Sequence, residues 1–174
     1  LTLSKIREQR ACIYVGLSTQ GYAKTATAIG KIFLNELLYN SYKTLGPDAD
    51  KDEGVNNPVS IYFDEFGAII TPEFIELQNK CRGAGMELTM AVQSSADIDK
   101  VDPELTKQVI ENAGNLFVLK QRLDVSATLF SEAIGTVISS KRTHKFEDGG
   151  RTATGTERET HELIVHPDII KNLR

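Results

Sequence analysis

The chain has 174 residues, 40% of them hydrophobic and 25% charged, a balance that fits a soluble, compact domain and excludes both a disordered segment and a fibrous repeat. Its 24 acidic against 20 basic residues leave a net charge of −4, so a surface that is basic throughout is excluded and any nucleic-acid contact must be local. No apolar stretch reaches the roughly 18–20 residues needed to span a bilayer, and the N-terminus lacks the zones of a signal peptide.

Ala11-Cys12-Ile13-Tyr14-Val15-Gly16-Leu17 is a short apolar, β-branched run ending in glycine, the pattern of a buried strand. From Tyr22 to about Leu45, Ala26, Ile29, Ile32, Phe33, Leu37 and Leu38 recur at three- and four-residue spacing, which predicts an amphipathic helix stopped by Pro47. Residues 46–58 hold Asp48, Asp50, Asp52 and Glu53 with no apolar period, and so are expected to form an exposed acidic loop.

Val59-Ser60-Ile61-Tyr62-Phe63 is a second strand, running straight into Asp64 and Glu65. Thr71-Pro72-Glu73 predicts a helix start, with Thr71 as N-cap and Pro72 in the first helical position, and Gly83 and Gly85 end that helix after Cys81. Met86 to Val92 is a third strand, closed by Gln93-Ser94-Ser95, where a serine can cap the next helix. Residues 96–113 are polar and helical in pattern with a break near Pro103, Leu116 to Leu119 is a fourth strand, and Val125 to Ile134 a helix ending at Gly135. Residues 136–166 then read as a hairpin or edge strands around Gly149-Gly150.

Strands alternating with helices predict an α/β fold with a doubly wound, mostly parallel sheet. Ligands bind such sheets at the carboxyl ends of the strands, and Asp64, Glu65 and Gln93 are expected there. An apolar strand ending in Asp-Glu is the Walker B arrangement, in which Asp64 would hold Mg²⁺ and Glu65 would activate a water for attack on ATP. Gln93 would stand in the same row if its strand neighbours that of Asp64, sensing a phosphate or water, or else merely closing a loop. Arg82 ends a helix among Gly83, Ala84 and Gly85, small neighbours that leave a guanidinium free to act as an arginine finger or to offset the helix dipole.

The phosphate-binding loop such a site requires is missing. Gly16-Leu-Ser-Thr-Gln-Gly21-Tyr22-Ala23-Lys24-Thr25 comes after a strand-like run and ends in Lys-Thr, but Tyr22 and Ala23 separate the second glycine from the lysine. In G-x-x-x-x-G-K-[ST] the two are adjacent, so the string is not a Walker A loop. Cys12 and Cys81 have no zinc-ligand spacing and are expected to be reduced and at least partly in the core. His144, His161 and His166 are expected on the surface. The basic stretch Lys141-Arg142-Thr143-His144-Lys145 either touches DNA phosphates or keeps a hairpin tip solvated, and only Phe146 could offer stacking beside it.

Taken together, Val59-Ser-Ile-Tyr-Phe-Asp-Glu-Phe-Gly, Leu77-Gln-Asn-Lys-Cys-Arg-Gly-Ala-Gly-Met and Met90-Ala-Val-Gln-Ser resemble the type IV secretion coupling proteins, the TraD/TraG family of conjugative DNA pumps. Ile13-Tyr-Val-Gly-Leu, Ala28-Ile-Gly-Lys-Ile-Phe-Leu and Asn115-Leu-Phe-Val-Leu-Lys are similar to flanking family segments. The resemblance implies that residues 1–174 are the C-terminal part of a RecA-like motor domain, without its Walker A half. It also implies a hexameric ring, ATP and Mg²⁺ as cofactors, and a place on the cytoplasmic face of the bacterial inner membrane through helices absent here. The implied partners are single-stranded DNA or a relaxase–DNA complex and the secretion channel. By motif, Asp64 and Glu65 take the Walker B roles, Arg82 that of the finger and Gln93 that of the nucleotide sensor. Other expectations stay open: a different RecA-like translocase or packaging ATPase, or a non-catalytic docking module for a relaxase or adaptor.

Overall fold

The computed structural model describes residues 3–17, 19–47, 57–147 and 150–174. The chain divides into two compact units, Leu1–Gly114 and Asn115–Arg174.

In the first unit, helix α1 (Leu3–Gln9) precedes the long helix α2 (Thr19–Leu45), in which Tyr22 departs from helical geometry (φ −136°, ψ 45°). Regular helix therefore begins just after Tyr22, where the apolar period begins. Strand β1 (Val59–Phe63) leads through a 3₁₀ turn (Phe66–Ala68) to helix α3 (Phe74–Cys81), and strand β2 (Met86–Met90) is succeeded by helices α4 (Ser95–Asp99) and α5 (Leu105–Glu111). Pro103 lies in the gap between the last two, at the expected break. β1 and β2 pair in parallel, Val59 opposite Met86 and Phe63 opposite Met90. A parallel pair needs a crossover, which α3 supplies.

The core lies between this sheet and the helices. Leu34 and Leu37 of α2 pack with Ile61 and Phe63 of β1, Phe66, Ile70, Phe74 and Leu77, and with Met86, Ile98 and Leu105. Phe66 is fully buried, its ring 5.4 Å from Phe63 and 4.5 Å from Phe74, and burial of each such side chain contributes about 1.5–3 kcal/mol. The α2 backbone comes so close to the end of the 3₁₀ turn that a Cβ on Gly30 would stand 2.4 Å from Ile69 Cγ2. On the outer side of α2 and α3, the Tyr42 hydroxyl donates to Glu76, and Lys80 Nζ lies 3.4 Å from Glu76 and 3.8 Å above the Tyr42 ring. The Tyr42 bond, then Lys80, hold the Glu76 carboxyl below its usual range.

In the second unit, helix α6 (Asp124–Ile134) turns at Gly135 into a long antiparallel hairpin, β3 (Thr136–Glu147) and β4 (Gly150–Leu163), and helix α7 (Pro167–Lys171) closes the chain. Gly135 has φ 104°, a conformation that L side chains rarely adopt. Ser131 donates to the Val165 carbonyl and Ile164 N–H bonds Gly135 O at 3.1 Å, fastening the base of the hairpin to α6, while Lys171 of α7 pairs with Asp124 of α6. Asp124 raises the Lys171 pKa. Along the ribbon, Lys141 sits 2.5 Å from Glu162 and Arg142 3.1 Å from Glu157.

Several sequence expectations need correction. Among the described residues the parallel sheet has two strands rather than the larger doubly wound set, because residues 11–17 and 116–119 form no ladder. A run becomes a strand only by pairing, and neither finds a neighbour; Tyr14 is 93% and Phe117 91% exposed. Cys12 accordingly lies exposed rather than in a core, whereas Cys81 is half-buried and burial pushes its thiol pKa up. Thr71 is not a side-chain cap: α3 begins at Phe74, whose N–H bonds the Thr71 carbonyl in a turn. His161 and His166 are exposed as expected. The side chains of His144, Lys145 and Phe146, and residues 48–56 of the acidic loop, lie outside the described residues.

Candidate functional site at the strand tips

The parallel pairing of β1 and β2 gives the sheet one carboxyl end, and Asp64, Glu65 and Gln93 all come after strands at that end. The exit of β2 is stitched to the corner after β1: Ala91 N–H donates to Phe63 O at 2.8 Å, and Phe66 N–H donates to Ala91 O at 3.0 Å. Residues 63–66 thus straddle Ala91, two positions before Gln93. Buried Phe66 fixes the corner from beneath, and Asp64, Glu65 and Gln93 are exposed above it.

Glu65 adopts the left-handed conformation, φ 50° and ψ 41°. It is one of two non-glycine residues with positive φ among the described residues, Arg10 being the other. Conformations of this kind persist in non-glycine residues where the surroundings impose them, and here the Ala91 stitch and Phe66 burial do so. Glu65 N–H donates to Asp64 Oδ1 at 3.0 Å, which orients the Asp64 carboxylate by its own chain. The next turn is tight: a Cβ on Gly67 would lie 2.7 Å from Asp97 Cβ of α4. That helix is capped by Ser94, whose Oγ accepts from Ala96 N–H at 3.2 Å, so Gln93 leads directly into an anchored helix start.

No group of three or more His, Cys, Asp and Glu able to hold a metal occurs among the described residues. Asp64 and Glu65 alone match the donor set of Mg²⁺, which is commonly held by one or two carboxylates, with phosphate oxygens and waters filling its octahedron.

Arg82 falls elsewhere. It is the exposed C-cap of α3, and α3 runs back to the start of β2, so Arg82 lies at the amino end of the strands. A five-residue strand separates it from the Asp64 end, about 16 Å. The structure therefore brings Asp64, Glu65 and Gln93 to one end and leaves Arg82 at the other. The loop that carries Arg82 is a hydrogen-bonded turn: Ala84 N–H bonds Lys80 O at 3.1 Å, Gly85 N–H bonds Arg82 O at 3.2 Å, and Gly85 takes φ 63°. Sequence reasoning missed Arg7, a buried side chain of α1 whose Nη2 donates to the Ala84 carbonyl at 2.6 Å. No periodicity or motif marks it, since the contact joins residues 77 positions apart.

A small parallel sheet with a carboxylate pair at its carboxyl end, packed among helices, defines a mixed α/β protein. A family model described as the TraM recognition site of TraD and TraG matches residues 58–174, and the chain belongs to that family. Among solved structures the chain is similar to a bacterial conjugative coupling protein, TrwBdeltaN70, in an unbound monoclinic form. The TM-score is 0.60 at 15% identity, over 88% of this chain and 33% of that one. This likeness shows the fold, and the chain spans about a third of the length of that structure. Among curated proteins no sequence matches the chain. No helix among the described residues is long and apolar enough to cross a membrane.

Proposed function

We propose that this chain carries the carboxylate half of the ATP site of a conjugative coupling protein, whose complete form uses ATP hydrolysis to drive DNA, or DNA joined to a protein, into a type IV secretion channel. The observation that carries this reading is the parallel β1–β2 pair, which sets Asp64, Glu65 and Gln93 on one sheet end in a chain of the TraD/TraG family. Asp64, oriented by the Glu65 N–H, would hold the Mg²⁺ ion. That ion, bound with ATP, neutralises charge on the phosphates. Glu65 orients a water and accepts its proton at a carboxylate oxygen, and Gln93 positions that water or a phosphate oxygen through its amide. Arg82 cannot serve the site of its own subunit from the far end of the sheet, and in a ring of subunits it serves the neighbour's. The ring, proposed as a hexamer, would sit on the cytoplasmic face of the inner membrane, tethered by helices outside this chain.

The phosphate loop this mechanism needs is not among these 174 residues, so the chain alone neither hydrolyses ATP nor holds it tightly. In the complete protein Glu65→Gln retains ATP binding and loses hydrolysis, because it removes the base and keeps the shape. Nucleotide binding by equilibrium titration and phosphate release measure the two, and loss of binding would assign Glu65 to structure instead. The family description favours a second role compatible with the first: recognition of a relaxosome-type partner such as TraM. That role predicts binding of the partner by this chain with and without nucleotide.

A further inference from the structure

Arg7 is a buried cation that the mechanism above leaves unused. Its side chain is 6% exposed, and a buried charge is costly unless hydrogen-bonded groups receive it. Its Nη2 donates to the carbonyl of Ala84 at 2.6 Å, a residue that is itself fully buried. The contact falls in the turn after α3, near the negative end of that helix's dipole, where a guanidinium is favoured. Ile6, the preceding residue, packs against the core, so α1 is seated rather than hanging free. On the other side of the same turn, a Cβ on Gly83 would stand 3.1 Å from Leu45 Cδ2, which shows α2 pressed against it. The Arg82–Gly85 turn is thus gripped by α1 through a charge-assisted hydrogen bond and by α2 through close packing, while Arg82 itself remains exposed.

From this geometry we infer that Arg7 is a positioning residue for Arg82: one arginine, buried, immobilises the turn from which the other projects. The inference rests on the reading of Arg82 as a finger acting on a neighbouring subunit. A finger stabilises charge only in the transition state, so its effect depends on where the guanidinium rests before the reaction. Releasing the Ala84 carbonyl frees the turn to shift, and a misplacement of about 1 Å can cost on the order of 10² in rate. Nucleotide affinity does not depend on the turn, because it is set by groups of the other subunit.

The test uses the complete coupling protein, assembled, with phosphate release as readout. Arg7→Met keeps the length and apolar body of the side chain and removes the donors. It should lower kcat on the order of 10²-fold, with KM for ATP changed less than about threefold. Mixed with Glu65→Gln subunits, which have a sound finger and a dead site, Arg7→Met subunits should regain turnover. Mixed with Arg82→Ala subunits, which fail at the same function, they should not. If Arg7→Met does not assemble, Arg7→Lys takes its place in the same mixtures, since lysine keeps the charge and loses the planar fork. Unchanged turnover in the Arg7 variant, with Arg82→Ala inactive, overturns this inference and leaves the finger intact. Equal failure in both mixtures also overturns it, as the mark of a general structural role. Full activity of Arg82→Ala overturns the finger itself, and with it the basis of the proposal.

Discussion

Replacing Glu65 with glycine should make the chain more stable, although the residue stands at the centre of the candidate site. Its φ of 50° and ψ of 41° cost an L residue about 1–2 kcal/mol relative to the right-handed region. Glycine escapes that cost but gives back about 0.4–1 kcal/mol through the greater freedom of its unfolded chain. Little else changes. The side chain is exposed, and the bond to Asp64 Oδ1 comes from the backbone N–H, which glycine retains. The net gain is about 0.5–1 kcal/mol, or roughly 2–5 °C in melting temperature for a unit of this size. Glu65→Ala is the control, because alanine keeps the left-handed cost and should fall within about 0.5 kcal/mol of the parent. Urea unfolding monitored by far-UV circular dichroism compares the three proteins. A glycine variant no more stable than the alanine variant would refute the reasoning, for it would mean that the corner carries no backbone strain.

Gly30→Ala should destabilise the chain by about 1–3 kcal/mol, the usual range for overpacking, because the added methyl meets Ile69 Cγ2 at 2.4 Å. Ile69→Ala in the same chain should recover part of that loss, whereas additive effects in the double variant would place the clash elsewhere. The hairpin should weaken in acid. Glu157 is held below its ordinary value of 4.5 by Ser140 and then Arg142, and Glu162 by Lys141. Their stabilisation is complete above about pH 4.5 and is lost as pH falls through the lowered values. The double variant Glu157→Gln, Glu162→Gln should therefore show a shallower fall in melting temperature from about pH 5 to 3, and parallel profiles would exclude the effect.

The elements legible in the sequence are those whose causes are local. The three- and four-residue period of α2, the stop at Gly135 and the serine before α4 each act within a turn or two of the backbone, and each stands where it was expected. Val59–Phe63 and Met86–Met90 were legible as strands and became strands because each has the other to pair with. Residues 11–17 and 116–119 carry the same apolar, β-branched pattern without a partner, and the pattern alone forms no ladder. For the same reason the shared position of Asp64, Glu65 and Gln93 could be anticipated only on the condition that their strands are neighbours. The left-handed Glu65 arises from the Ala91 stitch and Phe66 burial, and the Arg7 contact from a meeting of distant segments. Neither leaves a mark within a window of sequence.

The hairpin of the second unit has a mechanical consequence. Twelve residues of β3 extend about 40 Å at the antiparallel rise, and they leave α6 through a single residue, Gly135, whose φ of 104° no bulky side chain stiffens. Among the described residues, the bonds from Ser131 and Ile164 join this ribbon to its unit at the root. It is therefore a lever with its fulcrum at one end: a change of about ten degrees at the root moves the far end by roughly 7 Å over that length. A small change in backbone angle at Gly135 is thus enlarged along the ribbon in proportion to the distance from its root.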